Sequence, residues 1–218
     1  MKEQHSPSPC SESGQGGLCL TALSFLGNGP YDLEVGPGQC VGLSGRSGVG
    51  KSQLLRAVAD VMVHRGECFL DGRPASSFSP PDWRKKVAMV PAESFWWHDT
   101  VGSHFSDGIL STGGEELFAR LGFSADVLSW QISRLSTGER QRLSLLRTLV
   151  SEPHVLLLDE PTSALDTKMA TVVEEIVMDI CALKNTPCLW VSHDLEQLSR
   201  VADRVFRVEP ETLVSMEI

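Results

Sequence analysis

Hydrophobic and polar positions along this chain follow two alternating rhythms. Short, wholly apolar runs recur: CVGL from Cys40, VAMV from Val87, VLLL from Val155 and CLWV from Cys188. Runs of this length without polar alternation mark strands buried on both faces. Between them lie segments with helical spacing. SQLLRAVADVM sets Leu54, Leu55, Val58 and Val61 on one side, and TKMATVVEEIVMDICALK does the same with Val172, Val173, Ile176, Ile180 and Leu183. PPDWRKK predicts a short helix with prolines at its first positions. TGERQRLSLLRTLVSEP predicts another that stops before Pro153. LCLTALSFL, YDLEV and ECFLDGR read as strands near the N-terminus, and RVFRV and TLVSMEI as edge strands near the other end. Strands alternating with helices predict an α/β fold with a mostly parallel sheet covered on both faces. Between about Glu93 and Leu135 the rhythm breaks into short amphipathic pieces, GEELFARLGF and SADVLSWQI, set among Gly and Ser. This predicts a small helical insertion and not a second domain.

Composition narrows the picture. Of the 218 residues, 41% are hydrophobic and 22% charged, ordinary proportions for a folded domain, and the net charge is −9. An acidic balance argues against a duplex-DNA partner. No run reaches the roughly 18 apolar residues that a spanning helix needs. Residues 1–17, rich in Ser, Pro, Gly and Gln, read as a disordered tail without a secretory apolar core, leaving 18–218 as a single domain. The six cysteines include no CxxC pair and no zinc spacing, so buried reduced thiols are expected.

The candidate chemistry begins where CVGLS runs into Gly45-Arg46-Ser47-Gly48-Val49-Gly50-Lys51-Ser52. This matches GxxxxGK[ST] between a strand and a helix, the context in which that pattern cradles phosphate. Backbone N–H groups and a helix N-terminus converge on the anion. Lys51 is placed for the β- and γ-phosphates, and the Ser52 hydroxyl for Mg²⁺. Downstream, Asp159 and Glu160 end an apolar strand at its C-terminal side, where ligands of such sheets sit. Asp159 would hold Mg²⁺ through water, and Glu160 would polarise an attacking water.

Three further segments resemble one family. Leu135-Ser136-Thr137-Gly138-Glu139-Arg140-Gln141-Arg142 is similar to the LSGGQ-type signature of ABC ATPases. Pro161 to Asp166 resembles their D-loop, and Trp190-Val191-Ser192-His193-Asp194 their switch-histidine segment. Together with the phosphate loop these cover about Leu18 to Val208. The resemblance implies a P-loop NTPase fold with a central mostly parallel sheet, an N-terminal antiparallel β subdomain and a small helical insertion. It implies ATP hydrolysis with Mg²⁺ at the interface of a head-to-tail dimer. Residues 45–52 and Gln53 would hold ATP in one subunit. Ser136, Gly138 and Glu139 would grip the γ-phosphate held by the other, and Asp166 would bridge to its phosphate loop. Lys51, Glu160 and His193 would act in catalysis, His193 orienting Glu160. His5, His64, His98, His104 and His154 match no motif and read as structural or exposed.

The resemblance also implies a separate membrane permease as partner and a cytoplasmic position on the inner face of the membrane, with no nucleic acid. The permease would be received by Glu93 to Ser106, with Phe95, Trp96 and Trp97; core packing accounts for at least one of the two tryptophans. Several motif neighbourhoods look like the small ATPases of Fet-type metal exporters. A soluble ABC ATPase that serves no transporter, and a regulatory subunit of weak turnover, are the alternatives. Three positions depart from the pattern. Thr137 replaces a glycine, Glu139 a glutamine, and Ala92 the glutamine that normally touches Mg²⁺ and senses the permease. Losing that contact should slow the site more than silence it. The adenine-stacking aromatic has two candidates, Phe25 and Tyr31.

Overall fold

In the computed structural model, which describes residues 16–106, 109 and 114–217, the apolar runs are strands and the periodic segments are helices. The strands are β1 (Leu18–Phe25), β2 (Asn28–Val35), β3 (Cys40–Ser44), β4 (Arg65–Leu70), β5 (Arg73–Pro74), β6 (Val87–Val90), β7 (Val155–Asp159), β8 (Cys188–Val191), β9 (Arg204–Glu209) and β10 (Thr212–Met216). The helices are α1 (Lys51–Val58), α2 (Pro80–Lys86), α3 (Glu115–Arg120), α4 (Thr137–Leu149), α5 (Thr167–Lys184) and α6 (Leu195–Val201). One sheet runs β10-β9-β3-β8-β7-β6, parallel throughout except for β10. A second, antiparallel sheet runs β2-β1-β4-β5 and forms the N-terminal lobe.

The apolar runs have no polar alternation because both faces of the central sheet are covered. Leu156, Leu158, Cys188 and Trp190 join one core with α4, α5 and α6. Their neighbours Val155, Leu157, Leu189 and Val191 point the other way, into a core with α1 and the N-terminal sheet. Trp83 of α2 is buried there, and its indole N–H donates to the Val58 carbonyl at the end of α1 (2.9 Å). Among the described residues the insertion holds α3 and 3₁₀ segments at Gly102–His104, Ala125–Ser129 and Ile132–Arg134. Phe118, Leu121, Phe123 and Val127 share the core of α4 and α5, so the lobe is an outgrowth of one domain.

Four expectations are corrected. β9 is not an edge strand: it lies between β3 and β10. Arg204 and Arg207 are exposed and interrupt its apolar pattern, although its backbone pairs on both sides. α1 ends at Val58, Asp60 turns left-handed at φ 54°, and Val61 faces solvent. On α5 the buried stripe is Val173, Ile176, Val177 and Cys181, and Leu183 is exposed. Cys40, Cys68, Cys181 and Cys188 are buried free thiols as expected, but Cys19 is disulfide-bonded. His5, Cys10 and most of the expected tail lie outside the described residues. Gly17 is anchored, its N–H donating to the Asp71 carboxylate (2.8 Å). Among the described residues, no helix is long and apolar enough to cross a membrane.

Candidate nucleotide site

Parallel pairing brings the C-terminal ends of β3, β7 and β8 side by side: Leu43 pairs with Val191, and Val191 with Asp159. The chain leaves β3 through the phosphate loop and re-enters structure as α1. The loop needs glycine at two points in particular. Gly45 has φ 148°, and a β-carbon there would lie 3.0 Å from the Val208 carbonyl oxygen. Gly50 has φ 112° and stands at the N-cap of α1, where no side chain caps the helix and no acidic residue occupies the first turn. The first N–H groups of α1 are thus left for an anion.

Lys51 begins α1. Its ammonium donates to the carbonyls of Gly45 (2.8 Å) and Arg46 (3.2 Å). Burial lowers its pKa, opposed by the nearby carboxylates of Glu160 and Asp159. One residue on, the Ser52 hydroxyl donates to Asp159 Oδ1 (3.0 Å), across more than a hundred residues of sequence. Asp159 is buried, at the end of β7. Glu160 follows with a left-handed backbone, φ 50°, unusual for a residue with a side chain. Its Oε1 lies 3.3 Å from His193 Nε2. Among the described residues that oxygen is buried without a hydrogen-bond partner, although the His193 backbone N–H also favours the ionised carboxylate. Burial raises the Glu160 pKa, opposed by His193 and Lys51. A buried carboxylate oxygen with an unused lone pair is an open acceptor for a proton.

These groups line one cavity of about 190 Å³, formed by Ser47, Gly48, Gly50, Lys51, Ser52, Gln53, Ala92, Asp159, Glu160, Val191 and His193. Of the residues expected to bind nucleotide, Arg46 and Val49 instead line a neighbouring cavity with Arg207 and Pro210. Ser136, Gly138, Glu139 and Asp166 do not reach the site of their own chain. Asp166 caps α5, accepting from the Met169 N–H (2.8 Å). Ser136 caps α4 in a closed capping box: its Oγ accepts from the Glu139 N–H, and its own N–H donates to the Glu139 carboxylate (2.8 Å). The box meets the N–H groups of Ser136 and Glu139 and leaves those of Thr137 and Gly138, at the first two positions of α4, outside it. These contacts hold the Glu139 pKa below its usual value, chiefly through the Ser136 N–H and hydroxyl. Neither Phe25 nor Tyr31 offers a ring to adenine. Both are buried against each other, and the Tyr31 hydroxyl donates to the Glu209 carbonyl (2.7 Å).

Ala92 opens the segment leading into the insertion, and its methyl group brings no ligand to the cavity. Beyond it, the Arg147 guanidinium of α4 lies 4.7 Å from the ring centroids of both Trp96 and Trp97. Trp96 packs partly against the core, whereas Trp97 is exposed. His104 fastens the turn, its Nε2 accepting from the N–H groups of Trp97 and His98 (both 3.1 Å) and its Nδ1 donating to the Thr100 carbonyl (3.0 Å). The sequence singles out neither Arg147 nor Gln141, a buried amide on the inner face of α4 behind Glu160. Its signal was a polar side chain at a core-facing helical position.

The ABC transporter family matches residues 29–163, more than half of the chain. The chain belongs to the ABC transporter family. It is an ATP-binding subunit of the type that hydrolyses ATP. An aliphatic sulfonates import ATP-binding protein of Agrobacterium fabrum is 34% identical, aligning 84% of this chain with 70% of that one. A thiamine import ATP-binding protein of Yersinia pseudotuberculosis is 31% identical, over 82% of this chain and 79% of that one. A solved bacterial Atm1-family ABC exporter with ATP bound superposes with a TM-score of 0.79 at 22% identity. It covers 92% of this chain, which spans only 38% of the exporter, and supports the fold alone. The likeness to Fet-type metal exporters finds no support in these relatives, two of which are named for import of other cargo.

Proposed function

We propose that two copies of this subunit close head to tail around Mg²⁺-ATP and that hydrolysis there drives a separate membrane permease, which holds the subunit at the membrane surface. The observation that carries this reading is the composition of the 190 Å³ cavity. It joins the open end of α1 and Lys51 to a hydroxyl–carboxylate pair and a carboxylate with an unsatisfied oxygen. That inventory suits a phosphate chain and a water, and offers nothing for a base.

The donor set also fits Mg²⁺. Among the described residues, no group of three or more His, Cys, Asp or Glu side chains could cage a metal. Ser52 and Asp159 supply two oxygen sites only, and Mg²⁺ suits such a partial set because it keeps waters and takes phosphate oxygens. Bound there, it would neutralise charge on the phosphates. Ala92 leaves a place for one further water. Lys51 steadies the terminal phosphates, and Glu160 accepts the proton of the attacking water through its free oxygen. His193 holds the Glu160 carboxylate from the solvent side. The signature residues do not line their own cavity, so a second copy is the source of Ser136 and Gly138 at the γ-phosphate, with the Glu139 carboxylate beside them.

The test is Glu160→Gln, with light scattering and phosphate release measured on purified protein and Mg²⁺-ATP. Hydrolysis should fall by about 10²-fold or more, and an ATP-dependent dimer should accumulate. Unchanged turnover would remove Glu160 from the chemistry. Loss of turnover with a monomer at all ATP concentrations would remove the dimer.

A further inference from the structure

Glu160 has to hold its carboxylate in place from a left-handed backbone, φ 50°. Non-glycine residues are strained in such a conformation and keep it only where surroundings enforce it. The Glu160 N–H donates to the Val191 carbonyl (3.1 Å), and the Glu160 carbonyl is held from the side of α4 by Gln141. It stands on the second turn of α4, 4% exposed, with its amide turned toward the loop after β7. Its Nε2 donates to the Glu160 carbonyl (2.8 Å) and to Ser163 Oγ (3.2 Å). Its Oε1 accepts from the Ala164 N–H (3.0 Å). The same loop is pressed against α4 at Gly138, where an added β-carbon would stand 3.0 Å from the Ala164 carbonyl oxygen.

We propose that Gln141 is a positioning residue for Glu160: its amide clamps residues 160–164 to α4 and so fixes where the Glu160 carboxylate points. This rests on the reading of Glu160 as the group that polarises the attacking water. A carbonyl and a backbone N–H must both be met from one side chain, and a primary amide is the group that offers donors and an acceptor together. A carboxylate at 141 could still accept from Ala164, but it would oppose its lone pairs to the Glu160 carbonyl. An apolar side chain of equal length would leave the Ala164 N–H without its acceptor and the Glu160 carbonyl with only the Ser163 N–H (3.2 Å). Because Gln141 rides on the helix whose first turn carries the signature, a shift of that helix moves the Glu160 backbone with it.

The experiment compares wild type, Gln141→Met, Gln141→Glu, Glu160→Gln and the double variant Gln141→Met/Glu160→Gln. Single-turnover hydrolysis gives the rates, and equilibrium dialysis with Mg²⁺-ATP gives the affinities. Both single Gln141 variants should lose about 10- to 100-fold in rate with the ATP dissociation constant within about twofold, as expected when geometry and not binding is disturbed. In the Glu160→Gln background, Gln141→Met should cost nothing further, because its effect passes through Glu160. Equal losses in both backgrounds would make Gln141 a structural residue and overturn the proposal, as would a full-rate Gln141→Met or Gln141→Glu. Should Gln141→Met fold poorly, Gln141→Glu, which keeps a polar acceptor for Ala164, decides alone. If Glu160→Gln itself retains wild-type rate, the assignment of Glu160 has failed, and the clamp loses its premise with it.

Discussion

Two helix ends in this molecule are finished differently, and the proposed dimer sets both against phosphate. α1 begins at a left-handed glycine, with no side-chain cap and no acidic residue in its first turn. α4 begins at Ser136 with a closed capping box, and the Glu139 carboxylate sits in its first turn. Both have the partial positive charge of a helix N-terminus. At α1 that charge is free for phosphate. At α4 an internal anion already occupies part of it. In that dimer a phosphate would meet N–H groups at α1, but would share the end of α4 with a carboxylate that its own hydrogen bonds favour in the ionised form. The end of α1 is uncapped, whereas the end of α4 is partly satisfied by its own residues.

The largest way to break this contrast is at α1. Lys51→Ala should lower steady-state phosphate release by about 10²- to 10³-fold, the usual effect of removing one preorganised charge partner. A smaller loss would mean that the open helix end holds the phosphates without its cation. Acidification is the next lever. Burial raises the Glu160 pKa above its usual 4.5, and only the ionised carboxylate can take a proton. Turnover at limiting ATP should therefore fall as pH drops through a midpoint above 4.5, by about tenfold per unit beyond it, as read from a profile of kcat/KM, which reports the nucleotide-free enzyme.

The remaining two probes act on α4. Ser136→Ala opens the capping box and should cost about 1 kcal/mol of stability, a fall of roughly 2–4 °C in melting temperature for a domain of this size. The smallest effect is expected from Glu139→Gln. An amide oxygen can still accept from the Ser136 N–H, so the box survives while the charge goes. With the helix-end repulsion removed, the ATP-driven dimer should tighten by about two- to fivefold at low salt, measured by light scattering in the Glu160→Gln background. Weaker dimerisation would show that Glu139 helps phosphate binding and would erase the contrast with α1.

Much of this was legible before any coordinates. VAMV, CVGLS and PPDWRKK coincide with β6, β3 and α2 residue for residue, because a doubly buried strand and a proline-led helix leave strong local marks. The phosphate loop was legible for the same reason: its chemistry depends on backbone freedom at fixed positions, and glycine is the residue that supplies it. β9 was misread because Arg204 and Arg207 report side-chain exposure, not backbone pairing. Phe25 and Tyr31 were misread because nothing local says whether a ring faces a cleft or a core.

The amino-acid sequence by itself determined which residues can do phosphate chemistry and the order of strands and helices that carries them. Only the tertiary structure decided which of them meet. Ser52 joins Asp159 because β3 and β7 both pair with β8. The Glu160 oxygen is buried beside His193 without a hydrogen-bond partner among the described residues. Gln141 reaches the Glu160 carbonyl because α4 packs behind the loop that follows β7. The difference is one of range. Burial and turn preferences are written within a few neighbouring residues, whereas the direction of a lone pair is set by groups brought together from across the chain.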